Sequence, residues 1–154
     1  MYFAMIVLLM LVLPAGSTVA EFLLSPGSAG WLPLIGKWFV FWGVGVRLLV
    51  AGIRQIARPA LTVEMLGIKD GAAGFLAREL GFANFAIGIT GLLSLASPAW
   101  TAAAACYGAI FYIFAGVQHA LAAHRDNEQN WAMASDLAMG ALLGIVVVAT
   151  LLHP

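Results

Sequence analysis

Long apolar runs recur along this chain, and short polar or turn-forming strings separate them with no period-2 alternation. A helix that crosses a bilayer needs about 20 mostly apolar residues. Five stretches reach that length, at about 2–24, 34–57, 76–97, 99–123 and 131–152. The pattern predicts an all-α fold: an integral membrane bundle of five transmembrane helices, forming one domain over residues 1–154. The number falls to four if the first stretch is cleaved as a secretory signal, for which Thr18-Val19-Ala20 supplies a small-x-small pattern before Glu21. A signal also needs a basic start, and the first basic residue is Lys37. The stretch is therefore expected to remain as a helix, bent at Pro14-Ala15-Gly16.

The connections differ in kind. Residues 25–30, Ser-Pro-Gly-Ser-Ala-Gly, form a turn-rich linker, and Ser97-Pro98-Ala99 is short enough to join two spans as a hairpin. Residues 58–74 place Glu64, Lys69 and Asp70 among Val63, Met65, Leu66 and Ile68, which predicts a short helix lying in the membrane interface. Arg54, Arg58, Lys69, Arg78 and Arg125 gather on one face of the five-span arrangement, and Lys37 alone lies on the other. By the positive-inside rule this predicts a cytoplasmic N-terminus and an outer C-terminus in the plasma (inner) membrane. Trp31, Trp38 and Trp100 fall on the outer boundary and Trp131 on the inner one, as an aromatic belt requires.

Composition agrees with the pattern and removes several functions. Hydrophobic residues make up 63% of the chain and charged ones 9%, against about 25% charged in soluble domains. Seven basic residues balance seven acidic ones, so no basic field exists to attract nucleic acid. Cys106 is the only cysteine, which rules out an internal disulfide and a cysteine-held metal. In its Ala-rich run it reads as a small packing residue.

The polar residues inside the spans carry what chemistry there is. Ten residues separate Arg47 from the end of the second span at Ala57, about 15 Å of helix, too deep for easy snorkelling. A charge there costs at least ~2.5 kcal/mol unless it is paired or wet. Arg54 follows seven residues later and Gln55 beside it. The third span opens with Arg78-Glu79 and carries Asn84 on a stripe with Gly81, Gly88 and Gly91. The fourth ends with Gln118 and His119, and in the fifth Asp136 shares a face with Gly140 and Gly144. Together they predict one buried polar cluster in the cytoplasmic half: Arg47, Arg54, Gln55, Glu79, Asn84, Gln118, His119 and Asp136. Such a cluster is as readily a structural ion-pair network, with Glu79 or Asp136 as Arg47's partner, as a ligand site.

Other chemistry finds little support. His119 and His124 are five residues apart, not the i, i+4 of a helical metal pair, and His153 lies at the opposite face, so neither a metal site nor a two-histidine haem fits. A GxSxG elbow, HExxH and a phosphate-binding glycine loop are absent.

Three strings carry a resemblance: Trp38-Phe39 with Gly43-Val44-Gly45-Val46-Arg47-Leu48 and Arg54-Gln55; Arg78-Glu79-Leu80-Gly81-Phe82-Ala83-Asn84; and Asn127-Glu128 leading to Ser135-Asp136. Over about residues 37 to 150 the chain resembles an uncharacterised family of small bacterial multispan membrane proteins of unknown function, which implies no activity. The glycine-arginine helix is faintly similar to the DoxX-like group, implying a quinone- or redox-associated membrane subunit. Arg78-Glu79 and Asn84 also look like the Arg and Asn of the membrane enzymes of eicosanoid and glutathione metabolism. The spacing departs from that family's motif, so no catalytic residue carries over.

The expectation is a non-enzymatic membrane protein, either an accessory subunit or a binder of a lipophilic molecule held by the cluster. Its expected partners are membrane lipid, other membrane subunits or further copies of itself, and no cofactor is specified. An enzyme using His119 as acid-base and Arg47 as anion clamp is the alternative. A small transporter switching an Arg47–Asp136 pair ranks third.

Overall fold

The computed structural model describes residues 2–25, 27, 29–65, 73–122 and 127–152. Among them are helices and no strand: α1 (Phe3–Leu24), α2 (Trp31–Ala57), α3 (Pro59–Met65), α4 (Ala73–Ala96), α5 (Ala99–Leu121) and α6 (Asn127–Leu152). All but α3 are long and apolar enough to cross a membrane, α6 from Gln129 onward. Two spans start three residues earlier than the apolar runs suggest, at Trp31 and Ala73. In the segment expected at the interface the described helix is α3, with Glu64 exposed, while Leu66, Ile68, Lys69 and Asp70 lie outside the described residues.

The central element is α2: half of its apolar window is buried, against 28–33% for the other four spans. The most extensive packing joins α5 to α6 and α2 to α4. Val40, Val44 and Leu48 of α2 meet Ala105, Ala109 and Tyr112 of α5 and Met139 and Leu143 of α6 in a continuous core. Outside this core the surface is apolar. Leu11, Phe75, Phe114, Ile145 and Leu151 are each more than half exposed. In water such a surface would drive aggregation, whereas acyl chains solvate it.

Glycine sets the spacing of the α2/α4 seam. A Cβ on Gly91 would lie 2.4 Å from Gly45 N, and one on Gly88 would lie 2.5 Å from Leu49 N. These are backbone atoms that cannot step aside, so the two helices reach this separation only because both positions lack a side chain.

Two spans are locally widened to π geometry, at Leu8–Val12 in α1 and Val40–Val46 in α2. The first explains itself. Pro14 has no N–H to give Met10, and its ring crowds that carbonyl. The chain answers with an i→i−5 bond from Leu13 N–H to Leu8 O, and Thr18 Oγ1 donates to Pro14 O at 2.7 Å. The irregularity expected at Pro14-Ala15-Gly16 thus falls one turn earlier, because a proline perturbs the turn that precedes it. Ile6 and Met10 bring α1 into the core, and Phe3 packs on Trp131 with ring centroids 5.0 Å apart.

Candidate functional site

The π segment of α2 prepares a buried charged site. In a regular helix Arg47 N–H would bond Gly43 O. Here it turns to Trp42 O and Val44 O, and the Tyr112 hydroxyl of α5 donates to Gly43 O. That bond fixes the Tyr112 ring, which is fully buried, and the Arg47 guanidinium carbon lies 4.8 Å from the ring's centroid. Arg47 Nη2 donates to Asp136 Oδ1 of α6 at 3.0 Å. Arg47 is 8% and Asp136 4% exposed. One cation is thus held by an acid from α6 and an aromatic face from α5, so three helices are cross-tied near mid-span.

The other residues of the expected cluster do not join this group by any described bond. Asn84 Nδ2 donates to Gln55 Oε1 at 2.8 Å, forming an amide pair across the α2/α4 seam. Asn84 Oδ1 is buried and accepts no hydrogen bond among the described residues. Arg54, Glu79 and Gln118 are exposed, and His119 is half-buried, within electrostatic range of Asp136. The single buried cluster of eight is therefore corrected to a buried ion pair, a separate amide pair and four residues nearer the surface. Helix phase supplies the reason. Arg54, Glu79 and Gln118 each stand two residues from a buried glycine, at Gly52, Gly81 and Gly116, which turns them about 200° away from the packed stripe. Gly140 packs on Ile113, but a Cβ on Gly144 would meet nothing within 4 Å, so the second glycine of that stripe faces outward. Cys106, expected as a packing residue, is exposed on α5.

A second polar group lies where α1 ends and α2 begins. Lys37 Nζ donates to both carboxylate oxygens of Glu21, at 2.8 and 2.7 Å, and Trp38 Nε1 donates to Glu21 Oε2 at 2.7 Å. One helical turn along, Trp42 Nε1 donates to Ser17 Oγ at 3.1 Å. The ion pair stands at the rim of a cleft of about 640 Å3, walled by Leu32, Leu34, Leu95 and Val146, with Thr101 and Thr150 among its few other polar side chains. Two shallower apolar hollows, of about 390 and 490 Å3, lie on the outer sides of α5 and α6. None of these three cavities is lined by a residue of the expected cluster. No three His, Cys, Asp or Glu side chains converge on a metal site among the described residues. His124 and His153 lie outside them.

Sequence reasoning missed Tyr112, Glu21 and Lys37 as site residues, and each left a signal. Tyrosine belongs at the ends of a span, so Tyr112 in the middle of one marks a hydroxyl that needs a partner. Glu21 and Lys37 are lone opposite charges, one near the end of the first span and one near the start of the second.

The comparisons with known proteins give one positive result. The chain belongs to the family described as "Family of unknown function (DUF6790)", which matches residues 3–153. No curated protein and no solved structure matches it.

Proposed function

We propose that this member of a family without an assigned role is a small, non-catalytic accessory subunit of the membrane, with its N-terminus on the cytoplasmic side. The observation that carries this reading is the closed state of Arg47. The charge that costs most in the bilayer is matched inside the chain by Asp136 at 3.0 Å and by the Tyr112 face, and such a group fixes helix register. The enzyme alternative needs Arg47 and His119 on facing walls of an open pocket, whereas neither lines any of the three cavities and Arg47 is engaged by the Asp136 carboxylate and the Tyr112 ring. The arginine-bearing glycine helix, with its faint DoxX-like likeness, points toward a subunit as well.

Gly144 supports a partner on α6. It sits in the apolar hollow with Ala141, Ile145 and Val148 and has no neighbour of its own within 4 Å of a Cβ. The test is native mass spectrometry of the protein gently extracted from its own membrane, with Gly144→Leu beside the wild type. The expected result is a companion chain, or a second copy, in fixed stoichiometry with the wild type and lost from the variant, while the variant keeps its unfolding midpoint. A wild-type protein that emerges alone refutes the subunit reading.

A further inference from the structure

The cleft at the start of α2 lies apart from the Arg47 group and plays no part in the subunit reading. It is the largest of the three cavities, about 640 Å3, within the ~300–1,000 Å3 that small-molecule sites span. Its walls come from α2, α4, α5 and α6, and Glu21 reaches it from α1. Leu34 and Val146 are at most 4% exposed and form the floor, while Leu32 and Leu95 stand at about 40% along the sides. An apolar chain laid there covers surface that the fold itself leaves open.

The rim determines the head that such a molecule carries. Glu21 and Lys37 are both partly open, their side chains 24% and 35% exposed. Glu21 is held rigidly: Lys37 reaches both its oxygens and Trp38 Nε1 adds a third bond. Lys37 has three N–H groups and gives two to Glu21, and its ammonium lies 5.0 Å from the centroid of the Trp38 ring. The rim therefore offers one N–H of a cation to an acceptor and the outer side of a carboxylate to a donor, with no net charge. A purely anionic head meets Glu21 as a like charge, and a purely cationic head meets Lys37. A head with a phosphate and an ammonium a few bonds apart satisfies both.

We propose that this cleft is a binding site for an acyl-chain amphiphile with a zwitterionic, phosphate-and-ammonium head, the chemistry of phosphatidylethanolamine. The acyl chain lies between Leu32 and Leu95, above the Leu34–Val146 floor, the phosphate accepts from Lys37 and the ammonium donates to Glu21.

The test uses the full chain in detergent micelles, titrated with phosphatidylethanolamine or phosphatidylglycerol of identical acyl chains, with bound lipid counted by native mass spectrometry. Two variants accompany the wild type: Thr150→Trp, which fills the cleft from α6, and Lys37→Met, which removes the phosphate's donor and leaves the cleft open. Helix content and unfolding midpoint are read for each. The expected result is one tightly retained ethanolamine lipid, bound roughly tenfold more weakly by Lys37→Met, the scale of one lost charge-assisted hydrogen bond, and displaced by Thr150→Trp. Should Thr150→Trp fail to fold, Lys37→Met decides. Equal retention of the two lipids, a preference for the glycerol head, or retention indifferent to Lys37→Met overturns the proposal.

Discussion

Replacing Asp136 by alanine leaves the Arg47 guanidinium in place with its acid gone. At 3.0 Å and an effective dielectric of about 20, the lost attraction is about 5.5 kcal/mol before solvation is counted. Part of that offsets the cost of having desolvated both groups, and breaking a buried pair from one side typically costs about 3–5 kcal/mol. An ordinary interhelical hydrogen bond in a bilayer is worth only about 0.6 kcal/mol, because the unfolded chain finds other partners there. The two magnitudes separate a closed ion pair from a simple polar contact. Reversible unfolding in mixed micelles, followed by helical circular dichroism, reads the difference. Asp136→Ala should lose about 3 kcal/mol or more, whereas the paired replacement Arg47→Met with Asp136→Leu, which buries no charge, should lose less than that single variant. A loss under about 1 kcal/mol for Asp136→Ala, or additive losses for the pair, would refute the cross-tie and with it the structural reading of Arg47.

Three other substitutions are read in the same unfolding assay. Tyr112→Phe keeps the ring beside Arg47 but strips the donor from Gly43 O, and a buried acceptor left bare should cost about 1–3 kcal/mol. Gly88→Ala drives a Cβ to within 2.5 Å of Leu49 N and should cost about 1–3 kcal/mol or more as α2 and α4 are forced apart. Gly144→Ala, with nothing within 4 Å, should stay within about 0.5 kcal/mol.

The spans were legible because a bilayer demands about 20 apolar residues whatever the tertiary fold. Arg47 was legible as a group needing a partner for the same reason. Which acid answers it was not. Glu79 and Asp136 are both carboxylates in neighbouring spans, and the choice depends on helix phase: Asp136 shares the packed side of α6 with Met139 and Leu143, while Glu79 lies two residues off the stripe of Gly81, Asn84 and Gly88. The Glu21–Lys37 pair stayed hidden because its members are 16 residues apart, on two helices whose mutual approach no local pattern encodes. The first π segment had a sequence cause in Pro14, and the second had none so plain.

That second segment, Val40–Val46, links the local backbone to the ion pair. Gly45 lets α2 approach the α4 backbone, where a Cβ would lie 2.9 Å from Gly91 C, and a Cβ at Gly43 would lie 2.7 Å from the tip of the Met139 side chain of α6. The backbone approach at Gly45 leaves no room for a side chain against α4, and the widened turn redirects Arg47 N–H away from Gly43 O. A carbonyl so released inside an apolar core needs another donor. Tyr112 supplies it from the facing helix, and in doing so presents its ring to the guanidinium four residues on. The arginine reaches Asp136 across a path that the tyrosine borders, so the π turn, the hydroxyl and the ion pair form a single arrangement. The buried charge of Arg47 is thus positioned by a backbone irregularity, which is why the residues of Val40–Val46, none of them charged, bear directly on how Arg47 is held.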